Sequence, residues 1–188
     1  MTTLPRREQL LEAAAVLFAE RGYHAVGIDD IGAAAGISGP GVYRHFASKQ
    51  ALLAALCDRA LDRMLEGAQG ISAAHGDPRA SLEALVELHV AFAVDERALL
   101  GVWGRELPAL SDDLRRSLRR RMRAYEQPWQ EVLTCLRDDL DPAEVAVVIG
   151  ATLAMLNATA LATSEVSRER LAALLRTMAL AALLAPRR

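Results

Sequence analysis

The sequence has few aromatic residues and few β-branched aliphatic residues. Aromatic residues make up 4% of the chain, whereas hydrophobic residues make up 52%, so a core must be built mainly from Leu and Ala. Val and Ile are sparse outside residues 145–149, and this balance favours helices over strands. No segment alternates in the manner of a half-buried strand. We therefore predict an all-α fold with about nine helices.

Residue patterns that bind metals or perform catalysis are also missing. Cys57 and Cys135 lie far apart, and the four histidines show no metal-ligand spacing, so we predict no metal, no redox motif and no cofactor. The chain has no nucleophile–base pair and no phosphate-binding loop. Glu106 and His89 are isolated candidates for catalysis, and an enzyme is the least favoured of the alternatives.

The chain lacks an excess of basic residues. Its net charge is −2, so any binding to nucleic acid must be local and directed. The N-terminus is polar and is not followed by an apolar signal segment, which predicts a cytoplasmic protein. Residues 145–163 carry no charge, but their Thr, Asn, Gly and Ala content favours a buried helix over a membrane span.

Helix periodicity and capping residues divide the chain into short N-terminal helices and longer ones after them. We predict an N-terminal domain over residues 1–48 and a helical body over 49–188. The predicted helices cover residues 6–21, 28–35, about 38–46, 49–66, 78–94, 96–105, 111–140, 142–161 and 167–184.

Residues 28–46 have the pattern of a helix-turn-helix. Two short helices flank a turn that contains Gly36, and the apolar residues fall where the two helices would pack together. In such a unit the second helix enters the major groove of DNA. The side chains or backbone positions left facing outward are Ser38, Gly39, Tyr43, Arg44 and His45.

The string LLEAAAVLFAERGYHAVGIDDIGAAAGISGPGVYRHFASKQALLAAL, residues 10–56, resembles the N-terminal domain of the TetR family along its full length. This resemblance implies a three-helix DNA-binding head on a helical body that binds a ligand and dimerises. It also implies a repressor that leaves a palindromic operator when a small hydrophobic effector binds.

The resemblance also implies which residues contact DNA. Tyr43 and His45 match positions that contact phosphates, and Lys49 matches a phosphate-binding lysine at a helix start. Arg44 has a guanidinium that suits either a phosphate or a guanine edge. The complete predicted DNA-binding set is Ser38, Gly39, Pro40, Gly41, Tyr43, Arg44, His45 and Lys49.

Two glycines depart from the family pattern, one at a helix cap and one at a position that reads bases. Gly27 stands where members often have a capping Thr or Ser, and Gly39 stands where many have a polar base reader. Basic and acidic residues cancel over residues 1–50, so the acids of the first two helices must lie away from DNA. A ligand-binding dimer with a degenerate DNA head therefore remains an alternative.

The region predicted to bind an effector lies in the middle of the body. Pro128 should bend its helix, and such a bend could open a cavity among nearby aromatic residues. We predict ligand contacts from His89, Phe92, Trp103, Glu106, Met122, Tyr125 and Trp129. The surrounding sequence loosely resembles members whose effectors are lipid-derived acids or acyl thioesters. Six arginines and two aspartates give residues 111–123 a charge of +4, which indicates either a solvated face or a site for anions.

The last two predicted helices, 142–161 and 167–184, are apolar on more than one face, and such helices must be covered on all sides. In TetR-like proteins these helices pair across a two-fold axis. We therefore predict a homodimer through them.

Overall fold

The structure is a computed structural model, and it describes residues 4–74, 76–97, 99–101, 110–161 and 166–186. Within these ranges it contains no strand, and the predicted all-α fold is confirmed. The elements with both ends described are α1 (Arg6–Arg21), α2 (Ile28–Ala34), α3 (Gly39–Val42), α4 (Lys49–Ala74), α5 (Pro78–Asp95), α6 (Asp112–Leu136), α7 (Pro142–Asn157), a 3-10 helix (Ala158–Leu161) and α8 (Arg168–Leu184).

The predicted start signals of the longer helices act as caps. The Asp77 carboxylate accepts from the first backbone amides of α5, and the Ser111 and Ser167 hydroxyls accept from backbone amides of α6 and α8. At α7 the Asp141 carboxylate accepts from the Glu144 amide at 2.8 Å, while the Glu144 carboxylate accepts from the Asp141 amide at 2.9 Å. These bonds satisfy amides that have no partner inside the helix.

Helix α4 is longer than the sequence indicates. It was predicted to end near residue 66, but it continues through Gly67 and Gly70 to Ala74. Ala68 is buried, and Ile71 packs against the same core, so tertiary contacts outweigh the low helix propensity of glycine. Helix α6 ends at Leu136, one turn earlier than predicted.

Two hydrophobic clusters build the interior. The head cluster joins α1, α2, α3 and the first half of α4 with Leu110 and Leu118. The body cluster joins the second half of α4 with α5, α7, α8 and the later part of α6. Because α4 and α6 each contribute to both clusters, these two helices link the head to the body. The division at residue 48 stays a proposal.

Gly36 occupies a backbone conformation that only glycine adopts without strain. Its φ is +71°, and a Cβ added there would meet nothing within 4 Å, so strain alone determines the effect of a substitution. We expect Gly36→Ala to lower the free energy of unfolding by about 1–2 kcal/mol, measured by urea denaturation.

Gly70→Ala is the matched control, because Gly70 is also in open space but lies inside α4. The control should raise the free energy of unfolding by about 0.5–1 kcal/mol. Equal effects of the two substitutions would contradict the assigned turn geometry.

Candidate DNA-binding surface and buried polar cluster

The helix-turn-helix predicted over residues 28–46 is formed by α2, a tight turn and α3. The Ile37 amide donates to the Gly32 carbonyl at 2.9 Å and closes the turn. Val42 is fully buried and Phe46 nearly so, which fixes the short α3 on the head cluster. Tyr43 is 57% exposed, so its hydroxyl faces solvent as predicted for a group that contacts a phosphate.

A concave surface of about 420 Å³ lies beside α3, and the basic residues Arg6, Arg44 and His45 contribute exposed side chains to it. Ser38, Pro40 and Gly41 complete most of its lining. The Arg6 guanidinium is fixed here because it donates to the Ala35 carbonyl at 3.0 Å. The structure thus brings together most of the predicted DNA-binding set.

Arg6 was not among the predicted DNA-binding residues. It begins α1, where the positive end of the helix dipole disfavours a cation. A basic residue at that position indicates an anionic partner, and this signal could have been used.

Gly39 does not face outward, and its prediction as an outward position was wrong. It is buried, and a Cβ added to it would overlap the Oδ1 atom of Asp29 and lie 3.6 Å from the Asp29 Cα. The conflict is with the Asp29 side chain, because the Asp29 Cα at 3.6 Å lies at an ordinary contact distance, so a side chain at residue 39 would have to displace the carboxylate. Asp29 therefore lies beside the start of α3, and the requirement that the acids of the first two helices lie away from DNA stays a prediction for this residue.

Lys49 and Gly27 have structural partners that the sequence did not indicate. The Lys49 ammonium donates to the Val26 carbonyl at 2.6 Å and lies 4.3 Å from the centre of the Tyr23 ring. Its phosphate contact stays a prediction. The Gly27 amide donates to the Asp30 carboxylate at 2.7 Å, which satisfies the amide at the start of α2 but does not replace the acceptor that a Thr or Ser cap would supply.

In the body, a buried polar chain links three helices. The Nδ1 of His89 lies 3.0 Å from the Tyr125 hydroxyl, and its Nε2 lies 3.1 Å from the Asn157 side-chain oxygen. A neutral imidazole with its proton on Nε2 satisfies both contacts, since Nδ1 then accepts from the hydroxyl and Nε2 donates to the amide oxygen. Burial lowers the pKa of His89 to about 4, so the ring is neutral at pH 7.

Four of the seven predicted ligand residues form one aromatic cluster. His89, Phe92, Tyr125 and Trp129 have ring centres within 6.2 Å of at least one neighbour. The Trp129 side chain is fully buried, and its indole nitrogen has no hydrogen-bond partner in the described part of the chain.

The other predicted ligand residues lie elsewhere. Met122 packs against the head cluster instead of the aromatic cluster, and Trp103 and Glu106 fall outside the described residues. Asn157 joins the cluster unpredicted, because only folding brings the end of α7 to His89.

The arginine-rich start of α6 is partly used for internal ion pairs. Arg115 pairs with Asp112, and Arg116 pairs with Asp113. Arg121 pairs with Asp62 of α4 and lies 3.5 Å from Asp58. The Arg121 pairs fasten α6 to α4, which gives part of this run a structural role.

Helices α7 and α8 each have an apolar face in the body cluster and a second apolar face that is exposed. Ile149 and Leu153 of α7 are buried, whereas Val147 is 70% exposed. On α8, Leu175 and Ala179 are buried, whereas Leu174 and Met178 are 43% and 49% exposed. The exposed side chains of Val147, Leu174 and Met178 are called the outer face below.

No group of His, Cys, Asp or Glu among the described residues is arranged to hold a metal ion. In the same part of the chain no helix is both long and apolar enough to cross a membrane.

An all-α protein with an N-terminal helix-turn-helix and a helical body belongs to a recognisable class of DNA-binding regulators. Comparison with known proteins identifies the family. Residues 10–56 match the model of bacterial regulatory proteins of the TetR family, and residues 75–161 match that of a tetracyclin repressor-like C-terminal domain.

Three relatives illustrate the match. The HTH-type transcriptional activator FasR of Mycolicibacterium smegmatis is 44% identical over 82 residues, which are 44% of this chain and 37% of FasR. The HTH-type transcriptional repressor KstR2 of Mycobacterium tuberculosis is 31% identical over 143 residues, or 72% of each chain. The structure of AibR in complex with isovaleryl coenzyme A and operator DNA is 20% identical, covers 93% of this chain and 97% of AibR, and has a TM-score of 0.76.

The two family models and the match to KstR2 establish the family, and at its low identity AibR shows the fold alone. The match to FasR spans well under two thirds of that relative's length, whereas the match to KstR2 spans 72% of both chains. The chain belongs to the TetR family of bacterial regulatory proteins.

Proposed function

We propose that this protein is a ligand-responsive transcriptional regulator, acting in the cytoplasm as a repressor at a palindromic operator. The observation that carries the proposal is the exposed basic surface beside α3, where Arg6, Arg44 and His45 come together near the exposed Tyr43. The repressor KstR2, matched over 72% of both chains, supports repression, whereas FasR is an activator. The relatives are regulators, and catalysis forms no part of the proposal.

Dimerisation through the outer face completes this function. A palindromic operator requires two recognition helices about 34–36 Å apart, which a two-fold dimer provides. The outer face of α7 and α8 is apolar where the monomer exposes it, and pairing it with the same face of a second copy would bury it.

The effector is proposed to bind against the aromatic cluster of the body. A lipid-derived molecule or an acyl thioester fits the apolar, aromatic surroundings that Phe92, Tyr125 and Trp129 provide. Release from DNA requires the effector to bind one arrangement of the head more tightly than another. Helix α6 can transmit this preference, because Trp129 lies in the body cluster and Leu118 in the head cluster.

One observation keeps the alternative of a degenerate DNA head open. Gly39 is buried, and Asp29 brings a negative charge next to the start of α3. A head that has lost specific binding would show the same affinity for all DNA sequences.

Substitutions of the two residues that follow α3 test DNA binding. We expect Arg44→Ala to weaken binding to the DNA flanking the protein's own gene by about tenfold, and Tyr43→Phe by about threefold, because each loses a charged or hydroxyl contact to DNA. Fluorescence anisotropy at two salt concentrations measures both.

Arg79→Ala is the control, since Arg79 is an exposed arginine of the body that pairs with Glu83 at 2.8 Å. It should leave the affinity for DNA unchanged. Equal affinity of the unmodified protein for flanking and random DNA would establish the degenerate head instead.

A further inference from the structure

Asp29 and Gly39 lie against each other where α2 meets α3. A Cβ added to Gly39 would overlap the Oδ1 atom of Asp29 and would lie 3.0 Å from its Cγ. The carboxylate of Asp29 therefore occupies the space in which a side chain at residue 39 would begin. Residue 39 of α3 has no side chain, and the Asp29 carboxylate of α2 fills that space.

The two neighbouring acids of α2 differ in what they bind. The Asp30 carboxylate accepts a hydrogen bond from the Gly27 amide at 2.7 Å and caps the helix. Asp29 is exposed, and its carboxylate makes no hydrogen bond within the part of the chain that the structure describes. Asp30 thus has a structural role, whereas the acceptors of Asp29 remain available to a ligand.

A carboxylate beside the start of α3 is unfavourable near phosphates, because the two negative charges repel each other. The head has no excess of basic residues that would offset this repulsion. The carboxylate becomes favourable only against a hydrogen-bond donor in the major groove. The donors there are the N4 amino group of cytosine and the N6 amino group of adenine. Adenine places its N7 acceptor beside N6, where it would repel a second carboxylate oxygen, so cytosine is the better partner.

We propose that Asp29 is a specificity-determining residue that accepts a hydrogen bond from cytosine N4 in each half-site of the operator. Gly39 supports this role, because the absence of a side chain there leaves room for the carboxylate beside the start of α3. This inference rests on the proposed function, because it requires α3 to lie in the major groove. Arg6, Arg44 and His45 line the concave surface beside α3, and Asp29 is not among its lining residues.

Selection from a randomised duplex library, followed by sequencing, tests the proposal with the full-length protein. The unmodified protein should enrich a palindrome with one C·G pair in each half-site. Asp29→Asn should reduce the preference for cytosine at that pair by about tenfold and move it toward adenine, because a carboxamide matches adenine N6 and N7. Gly39→Ala should also reduce this preference, since its methyl group displaces the carboxylate, and thermal unfolding verifies that it folds.

Asp30→Asn is the matched control, because it removes the same charge from the adjacent residue and keeps an oxygen that can cap the Gly27 amide. It should increase affinity for every sequence slightly and leave base preference unchanged.

The outcomes separate the two proposals. If the unmodified protein enriches no sequence, the proposed function fails and this inference fails with it. If it enriches a palindrome but Asp29→Asn retains the same base preference, only the role of Asp29 is overturned. An equal change in base preference from Asp30→Asn would assign the effect to net charge, which also overturns that role.

Discussion

Replacing Leu174 and Met178 with glutamate is expected to convert the proposed dimer to a monomer and to weaken operator binding at least about 100-fold. Both side chains lie on the outer face and are exposed in the single chain. In a two-fold interface the double substitution places four carboxylates where apolar surface is buried. A monomer then binds only one half-site at a time and loses the effective concentration that links the two heads.

Sedimentation velocity measures the oligomeric state, and anisotropy on the selected palindrome measures affinity. Gln69→Glu with Ser72→Glu is the matched control, because it adds the same charge at two exposed positions on α4. The control should remain dimeric and lose little affinity. A Leu174/Met178 variant that remains dimeric would show that the outer face is not the interface.

The second large effect is a loss of stability in mild acid caused by His89. The unfolded histidine has a pKa near 6.5, whereas burial lowers the pKa of the folded residue to about 4. Between these two values the unfolded chain binds a proton that the folded chain does not bind. Stability is therefore fully present above pH 6.5 and falls as the pH decreases toward 4.

We expect this group to lower the free energy of unfolding by about 2–3 kcal/mol between pH 7.5 and pH 4.5. Other groups titrate over the same range, so the measured quantity is the difference between the unmodified protein and His89→Gln. The variant loses ring contacts and begins less stable, but it should lack this part of the pH dependence. Parallel curves of stability against pH for the two proteins would contradict a buried neutral imidazole.

The helices of the body were predictable because their limits are determined by local chemistry. Asp77, Ser111, Asp141 and Ser167 cap the amides next to them, and a cap depends only on residues within one turn. The end of α4 was not predictable in this way. Its last two turns are stabilised by contacts of Ala68 and Ile71 with other helices.

The residues of the candidate sites were likewise predictable only where local sequence identifies them. Tyr43, Arg44 and His45 were identified from the order of residues in the motif, and the structure exposes all three. Arg6 and Asn157, and Asp29 with its proposed role, were missed, since the contacts of each come from groups distant in sequence or on another helix. Arg6 reaches a carbonyl 29 residues away, and Asn157 reaches His89 over 68 residues.

The sequence by itself determined the all-α class, the helix-turn-helix, the family and the starts of the long helices. These follow from periodicity, capping and residue order, which act over a few neighbouring positions. Only the tertiary structure decided that Gly39 is buried under the Asp29 carboxylate, that Lys49 is bonded to Val26, and that His89 lies between Tyr125 and Asn157. Close approach of backbones and burial of polar groups depend on how separate helices pack, and the sequence alone does not specify those distances.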